Sequence, residues 1–252
     1  MFALMISLCL STGSAAGVAN LQTGDGVSLK ASTASATNAK QGVVLLHMDG
    51  RSRLDWDFFA DRLGKNGVAA VAPDLRGHGN SQGTKDYPRM VEDVRASIDH
   101  LIGQGVEQIT CVGAELGANL CVVAAATDAR ISAVGLLSPR LNLQGLNAPK
   151  AMQAYGKERP VLIVASAEDP HATRAADILL RLATDDARYE VLDEAGIGTR
   201  MLNRDPSLEG SLLDWISGTS ALGGLPVATP RPDTVDDTTV ETQGETLRAH
   251  QQ

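Results

Sequence analysis

Short apolar segments alternate with amphipathic segments through the middle of the chain. The apolar segments predict strands at 42–47, 68–72, 108–112, 133–137, 161–165 and 188–192, and 25–29 is typical of a turn and strand that open a hairpin. Between the strands, apolar residues recur at helical spacing. This spacing predicts helices at 56–65, 88–102, 116–126, 172–183 and 206–216. The helix at 116–126 is apolar nearly all round, so it is predicted to be buried.

This alternation predicts one α/β domain. Strands that are apolar without interruption are buried on both faces, and strands that alternate with helices form right-handed βαβ units and a parallel sheet. The expected architecture has three layers, in which a mostly parallel sheet of roughly six parallel strands, with a hairpin at one edge, lies between helices on both faces. Ligands bind at the carboxyl ends of the strands in such sheets, so candidate chemistry should lie in the loops that follow them.

The first residues predict export. Phe2 to Leu10 is an apolar run that is too short to span a bilayer. Ser14-Ala15-Ala16 then resembles a cleavage site, so residues 1–16 are interpreted as a signal peptide of a periplasmic or secreted protein. The basic residues that usually open such a peptide are missing, because no lysine or arginine precedes Lys30. The alternative is a buried N-terminal strand.

The last residues differ in kind from the middle of the chain. Residues 219–252 are rich in proline and threonine, lack Phe, Tyr and Trp, and carry five acidic residues against two arginines. Such a composition cannot offset the entropy cost of ordering, so we predict a disordered tail; the alternative is an interaction tail. The folded domain is therefore expected to span 17–218.

Composition excludes several functional classes. The net charge is −8 and aromatic residues make up 3% of the chain, which argues against nucleic-acid binding and base stacking. At 43% hydrophobic residues, the chain can form a sizeable core. Of the three cysteines, Cys111 and Cys121 lie in apolar runs, and we interpret them as core residues rather than as a disulfide or a redox pair.

The most informative motif follows the strand at 108–112. It reads Gly113-Ala114-Glu115-Leu116-Gly117 and leads directly into the apolar helix. A G-x-S-x-G sequence at such a junction is the nucleophile elbow, whose glycines allow a turn tight enough to expose the central side chain. The glycine frame is complete here, and the central residue is Glu115 instead of serine.

With this motif the chain resembles an α/β-hydrolase of the small esterase or dienelactone-hydrolase-like branch, from about Asp25 to Ile216. Five other segments resemble the family in the same order. Residues 45–50 resemble the His-Gly loop that supplies an oxyanion amide, and residues 74–81 resemble the D-x-R-G-H-G-x-S segment. Residues 136–139 and 161–169 resemble the strands before the cap site and before the acid, and residues 196–199 resemble the turn that carries the histidine. The resemblance implies the three-layer α/β-hydrolase fold. Because little chain separates Ser138 from the strand at 161–165, no large cap is expected.

The resemblance also assigns positions to the catalytic groups. The family needs a nucleophile, an acid and a histidine in that order, and these positions hold Glu115, Asp169 and Ile197. Asp169 fits its position, but isoleucine cannot transfer a proton and glutamate is not the usual nucleophile. By the same resemblance, the backbone amides of Asp49 and Leu116 would hold the oxyanion.

Glu115 has three interpretations. Its carboxylate would stand at a helix N-terminus, which favours anions, so it could fill the oxyanion site as a tethered product would. Alternatively, it points to solvent as a remnant of lost activity. As a third interpretation, it acts as a carboxylate nucleophile, but no base stands at 197 and His171 would approach from the wrong side.

The remaining polar candidates are interpreted structurally. His47 and His78 are expected to bond the backbone of neighbouring turns, and Trp56 is expected in the core. The arginines near the strand ends are expected in salt bridges rather than on a ligand: Arg51, Arg53 and Arg76. The strand-end acids lack the spacing of a calcium loop, so no metal is expected at them: Asp49, Glu115, Asp169, Asp193 and Glu194.

Three functional classes remain open. The first is a degenerate α/β-hydrolase that is kept as a binding or scaffolding protein, with a small-molecule ligand in the former active-site pocket as the candidate partner. The second is an active hydrolase of small esters or lactones that uses unusual groups. The third is an exported structural protein without a ligand. None of the three requires a cofactor or a membrane span, and the sequence names no protein partner.

Overall fold

The structure is a computed structural model that describes residues 15–218. Its strands are β1 Ala15–Gln22, β2 Ser28–Ser35, β3 Gln41–Leu46, β4 Ala69–Pro73, β5 Gln108–Ala114, β6 Ile131–Leu137, β7 Asn142–Leu143, β8 Leu146–Asn147, β9 Val161–Ser166 and β10 Arg188–Leu192. Its helices are α1 Asp57–Lys65, α2 Val91–Gly103, α3 Leu116–Ala125, α4 Ala148–Tyr155, α5 Pro170–Leu182, α6 Arg200–Arg204 and α7 Pro206–Ser217. Short 3-10 turns at Arg53–Trp56 and Tyr87–Met90 lead into α1 and α2.

Eight strands form one sheet in the order β1-β2-β4-β3-β5-β6-β9-β10. The six strands from β4 to β10 in this order run parallel, while β1 and β2 form an antiparallel hairpin that joins the sheet through β4. One apolar cluster packs α2, α3, α4 and α5 on one face, and a second packs α1, α6 and α7 on the other. The predicted three-layer α/β architecture, with six parallel strands and an edge hairpin, is confirmed.

Helix α3 is almost entirely buried. It follows β5, which pairs with β3 and β6, and nine of its ten residues are buried. Its apolar side chains therefore find neighbours on every side, as its sequence predicts. The apolar residues of α1 do not all face the core: Phe59 and Leu63 are buried, whereas Phe58 is exposed.

Cys111 and Cys121 are core residues as predicted, but the prediction that they do not form a disulfide is wrong, because the two residues are bonded to each other. Cys111 lies on β5 and Cys121 lies on α3, and both are fully buried. The tight turn between strand and helix folds α3 back over β5, which brings the two Cα atoms to 5.5 Å from each other. That distance suits a disulfide, and only the tertiary fold creates it.

The chain between β6 and β9 contains elements that the sequence pattern did not predict. The strands β7 and β8, two residues each, form a hairpin, and α4 packs against α3 and α5. This segment joins the helical layer, so no large cap is present in the part of the chain that the structure describes.

The terminal predictions fall largely outside residues 15–218. Most of the predicted signal peptide and the whole of the predicted tail, 219–252, lie beyond the described residues. Ala15 and Ala16 are the first residues of β1 and pair with Ser35 and Ala34. Cleavage after Ala16 would thus shorten an edge strand by two residues. Within 15–218, no helix is both long and apolar enough to cross a membrane.

Candidate active site

The turn between β5 and α3 has the backbone geometry of an elbow. Glu115 has φ 49° and ψ −99°, a conformation that residues with a side chain adopt rarely. A Cβ atom at Gly113 would lie 2.2 Å from the carbonyl of Gly117, and one at Gly117 would lie 2.2 Å from the carbonyl oxygen of Leu46. Both glycines are therefore required for the strand and helix to approach closely enough to hold Glu115 in this position.

The Glu115 carboxylate bonds two backbone amides. Its Oε2 atom accepts a hydrogen bond from the N–H of Leu116 at 3.2 Å and from the N–H of Asp49 at 3.1 Å. The first amide begins α3, whose N-terminus carries partial positive charge, and the second lies in the loop after β3. The side chain is half-buried and points into this pair of amides rather than to solvent.

Asp49 holds its loop in place through its own carboxylate. Oδ1 lies 2.8 Å from both the Lys85 ammonium and the His78 Nε2, and the Tyr87 hydroxyl donates to Oδ2 at 3.2 Å. Burial raises the pKa of Asp49, but the bonds from Lys85 and His78 outweigh it and hold the pKa well below its usual range. The loop that presents the Asp49 amide to Glu115 is thus anchored by charged partners.

Asp169 is buried and bonded to a cation. Its carboxylate accepts from Nη1 of Arg140 at 3.0 and 2.8 Å, and from the N–H of Ala172 at 3.1 Å as the N-cap of α5. The sequence did not point to Arg140 as a partner of Asp169. The one sequence feature that could have indicated it is its position shortly after the carboxyl end of β6. The carboxylate at the position that the resemblance assigns to the acid is therefore paired with a guanidinium group.

Ile197 lies half-buried in a turn that is fixed from both sides. The N–H of Gly196 donates to Glu168 at 2.9 Å, and the N–H of Gly198 donates to the Ser138 hydroxyl at 2.9 Å. The adjacent Thr199 hydroxyl donates to Asp55 at 2.6 Å. The turn is well anchored, but the isoleucine side chain offers no atom that can accept a proton.

The interpretation of His47 and His78 as structural residues is confirmed. His47 is fully buried; its Nδ1–H donates to the carbonyl of Met48 at 2.8 Å and its Nε2 accepts from the N–H of Leu75 at 3.0 Å. His78 contacts the carbonyl of Arg76 through Nδ1 at 3.1 Å. Burial lowers the pKa of His47 to about 4, because the charged ring would lose its hydration.

His47 makes stability depend on pH. Its pKa is lower in the folded state than the ordinary value of 6.5, so the unfolded state binds the extra proton and stability falls as pH drops from 6.5 towards 4. We expect His47 to remove about 2 kcal/mol of stability between pH 7 and pH 5. The measurement is urea unfolding at both pH values for wild type and His47→Gln, which keeps a donor and an acceptor but does not titrate. Equal losses in the two proteins would contradict the assignment.

The three candidate arginines form ion pairs, as predicted. Arg51 pairs with Asp55 at 2.6 Å and Arg53 with Asp74 at 2.6 Å. Arg76 bridges Asp25 and Asp93, each at 2.7 Å.

The other polar candidates do not meet at a metal site. Within the described residues, no group of three or more His, Cys, Asp or Glu side chains could hold a metal ion. Asp193 and Glu194 are exposed, and Trp56 is fully buried in the core as predicted.

Comparisons with known proteins extend this description. No curated protein matches the sequence. The structure is similar to that of the esterase Pf2001 from Pyrococcus furiosus, with a TM-score of 0.65 and 16% identity over 82% of this chain and 90% of that one. It is also similar to a dienelactone hydrolase from Anabaena variabilis, with a TM-score of 0.66 and 19% identity over 81% and 96% of the two chains.

A third similar structure is the alpha/beta hydrolase GrgF from Penicillium, with a TM-score of 0.69 and 14% identity over 81% and 98% of the two chains. At these identities the structures show a shared fold and no more. The sequence model of the alpha/beta hydrolase family, however, matches residues 43–244, which is most of this chain. This chain therefore belongs to the alpha/beta hydrolase family.

Proposed function

We propose that this chain is an α/β-hydrolase without esterase activity, retained as a binding or scaffolding protein. The observation that carries the proposal is the pair of hydrogen bonds from the Asp49 and Leu116 amides to Glu115 Oε2. The family resemblance assigns the same two amides to the oxyanion of a reacting ester. A carboxylate of the chain itself fills the place where that negative charge would develop.

Occupation by Glu115 opposes acyl chemistry in two ways. The amides that Oε2 engages are not free for a substrate carbonyl, and oxyanion stabilisation depends on donors that are aimed at the developing charge. If a substrate did enter, the Glu115 charge would repel the oxyanion. The Glu115 carboxylate therefore opposes the reaction at the elbow, and the same hydrogen bonds stabilise the folded protein.

Proton transfer is the second missing function. Ile197 has no titratable atom, and Asp169 is bonded to Arg140 rather than to an imidazole. Both ring nitrogens of His47 are taken by backbone groups. His78 contacts a backbone carbonyl and Asp49. A carboxylate nucleophile at Glu115 would still need a base to activate water, and none of these residues is placed to supply one.

Export forms part of the proposal. Disulfides persist in oxidising compartments and are rare in the cytosol, so the Cys111–Cys121 bond supports a periplasmic or secreted protein. The predicted signal peptide at 1–16 points the same way. A small-molecule ligand at the former active-site pocket remains the proposed partner of the folded domain.

Removing the charge of Glu115 should weaken the protein. Hydrogen bonds to a charged group contribute about 1.5–3 kcal/mol each, and glutamine keeps the acceptor while losing the charge. We therefore expect Glu115→Gln to lower the free energy of unfolding by about 1–2 kcal/mol, measured by urea denaturation. Unchanged stability would mean that the carboxylate contributes nothing to the amide pair.

A matched experiment tests whether the amides bind a carboxylate. In Glu115→Ala the pair is empty, so added acetate should raise the melting temperature of this variant more than that of wild type. The control is Glu107→Ala, which removes an exposed glutamate that is paired with Lys40. An identical response to acetate in both variants would contradict the proposed role of Glu115.

A further inference from the structure

A cleft of about 480 Å³ lies at the edge of the sheet opposite to Glu115. It is lined by Gln41, Gln108 and Arg188, which are the first residues of β3, β5 and β10. Glu115 follows the other end of β5, and a strand of seven residues extends about 20 Å, so the cleft and the elbow are separate sites. The volume of the cleft lies in the range of about 300–1,000 Å³ that is typical of small-molecule sites.

The lining of the cleft is mostly polar and offers both donors and acceptors of hydrogen bonds. Its uncharged polar side chains come from the first part of three strands and from the loop before β10: Gln41, Gln108, Thr110, Ser132 and Thr184. Two exposed carboxylates, those of Glu158 and Asp186, add acceptors, and neither forms an ion pair within residues 15–218. Amides, hydroxyls and carboxylates together suit a ligand that carries several hydroxyl groups, because each hydroxyl both donates and accepts.

Arg188 is the one basic side chain among the described residues that line the cleft. It is half-buried, yet its guanidinium group forms no ion pair within residues 15–218, and its Nε is buried without a hydrogen-bond partner. Charges that are withdrawn from water are usually paired, and a guanidinium group suits a carboxylate because two of its N–H groups can donate in parallel. Arg188 therefore favours a ligand with a carboxylate. The charges of Glu158 and Asp186 disfavour a doubly charged anion in the same cleft.

Trp215 gives the cleft a flat apolar surface. Its ring is half-buried and lies against β6, since a Cβ atom at Gly135 would lie 3.5 Å from Cζ3 of the ring. The same residue lines the cleft. The face of an aromatic ring carries partial negative charge, so it attracts the C–H groups on one face of a saturated ring. The cleft thus combines a site for a carboxylate, a surface for a ring and many partners for hydroxyl groups.

We propose that this cleft binds a sugar acid, a ring-shaped monocarboxylate with several hydroxyl groups. The carboxylate of the ligand accepts from the Arg188 guanidinium, one face of its ring contacts Trp215, and its hydroxyl groups bond the amides and carboxylates of the lining. One ligand then satisfies all three features of the cleft. The inference goes beyond the loss of esterase activity, because Glu115 and its amide pair take no part in this binding.

Titration with D-glucuronate, followed by tryptophan fluorescence, tests the proposal. The chain has two tryptophans, and Trp56 is fully buried, so a saturable change reports on Trp215. We expect D-glucuronate to bind about tenfold or more tightly than D-glucose, which lacks the carboxylate, and than D-glucose 6-phosphate, which carries a second negative charge. Equal binding of the three probes, or no saturable binding of D-glucuronate, would overturn the proposal.

Variants of the cleft locate the binding. Arg188→Gln removes the positive charge and should weaken D-glucuronate binding by about tenfold or more in calorimetric titration. The matched control is Arg174→Gln, which removes an exposed arginine of α5, a helix on the other face of the sheet from α7, and should bind as wild type does. Trp215→Phe should lose the fluorescence change but keep calorimetric binding. Wild-type affinity in Arg188→Gln would contradict the proposal, and the comparison of the three probes in wild type decides it if this variant fails to fold.

Discussion

Gly117→Ala is expected to lower the free energy of unfolding by about 3 kcal/mol or more. The added Cβ atom would lie 2.2 Å from the carbonyl oxygen of Leu46, 2.6 Å from its carbonyl carbon and 2.7 Å from its Cβ. These are atoms of the central strand β3, which is paired on both edges with β4 and β5 and cannot move aside locally. Relief therefore requires α3 to shift away from the sheet, which would also displace Glu115 from the amide pair.

The measurement is urea denaturation of Gly117→Ala beside Gly210→Ala. Gly210 lies in α7, and a Cβ atom there would have only the end of the Arg62 side chain near it, at 3.7 Å. Since alanine is favoured over glycine in a helix by about 1 kcal/mol, Gly210→Ala should be neutral or stabilising. Similar stability of the two variants would show that the close approach at the elbow is not required.

Asp74→Ala is expected to cost about 3–5 kcal/mol, as the breaking of a buried ion pair typically does. Asp74 is fully buried and accepts from both the backbone N–H and Nη1 of Arg53, at 2.7 and 2.6 Å, and from the N–H of Asn80 at 2.8 Å. Its removal leaves the guanidinium of Arg53 buried without its carboxylate. It also releases the loop between β3 and α1, which carries the Asp49 amide.

The matched control is Asp61→Ala, which removes an exposed carboxylate that is paired with Lys65 one helical turn away. Such surface pairs contribute about 0–1 kcal/mol. The thermal and urea transitions of Asp74→Ala should therefore shift far more than those of Asp61→Ala. Comparable transitions would mean that the charge of Arg53 is satisfied by other groups.

The fold was predictable because its signals are local. Each central strand is an apolar run such as 161–165, and each helix shows its period along the sequence, so the alternation alone gives the parallel sheet. The complete glycine frame around Glu115 placed the elbow. The same frame allowed the amide contacts of the carboxylate to be anticipated, because the N-terminus of a helix attracts anions wherever the fold provides one.

Contacts between distant segments were not predictable. The disulfide between Cys111 and Cys121 depends on how far α3 folds back over β5, and the ion pair of Arg140 with Asp169 depends on two loops that meet in space. Helix α4 is eight residues long and begins with alanine and proline after the short β7–β8 hairpin, so its period is too brief to stand out. In each case the structure depends on tertiary packing, which the local propensities of the sequence do not determine.

Turnover of p-nitrophenyl acetate by the purified wild-type protein tests the central claim most directly. The comparison is with Glu115→Ala and with a serine esterase as the positive control for the assay. The account predicts no multiple-turnover hydrolysis above buffer by wild type or by Glu115→Ala, because no residue transfers the proton in either protein, and in wild type the amide pair is also occupied by Glu115. Sustained turnover by wild type that Glu115→Ala abolishes would contradict it, since Glu115 would then be a catalytic residue.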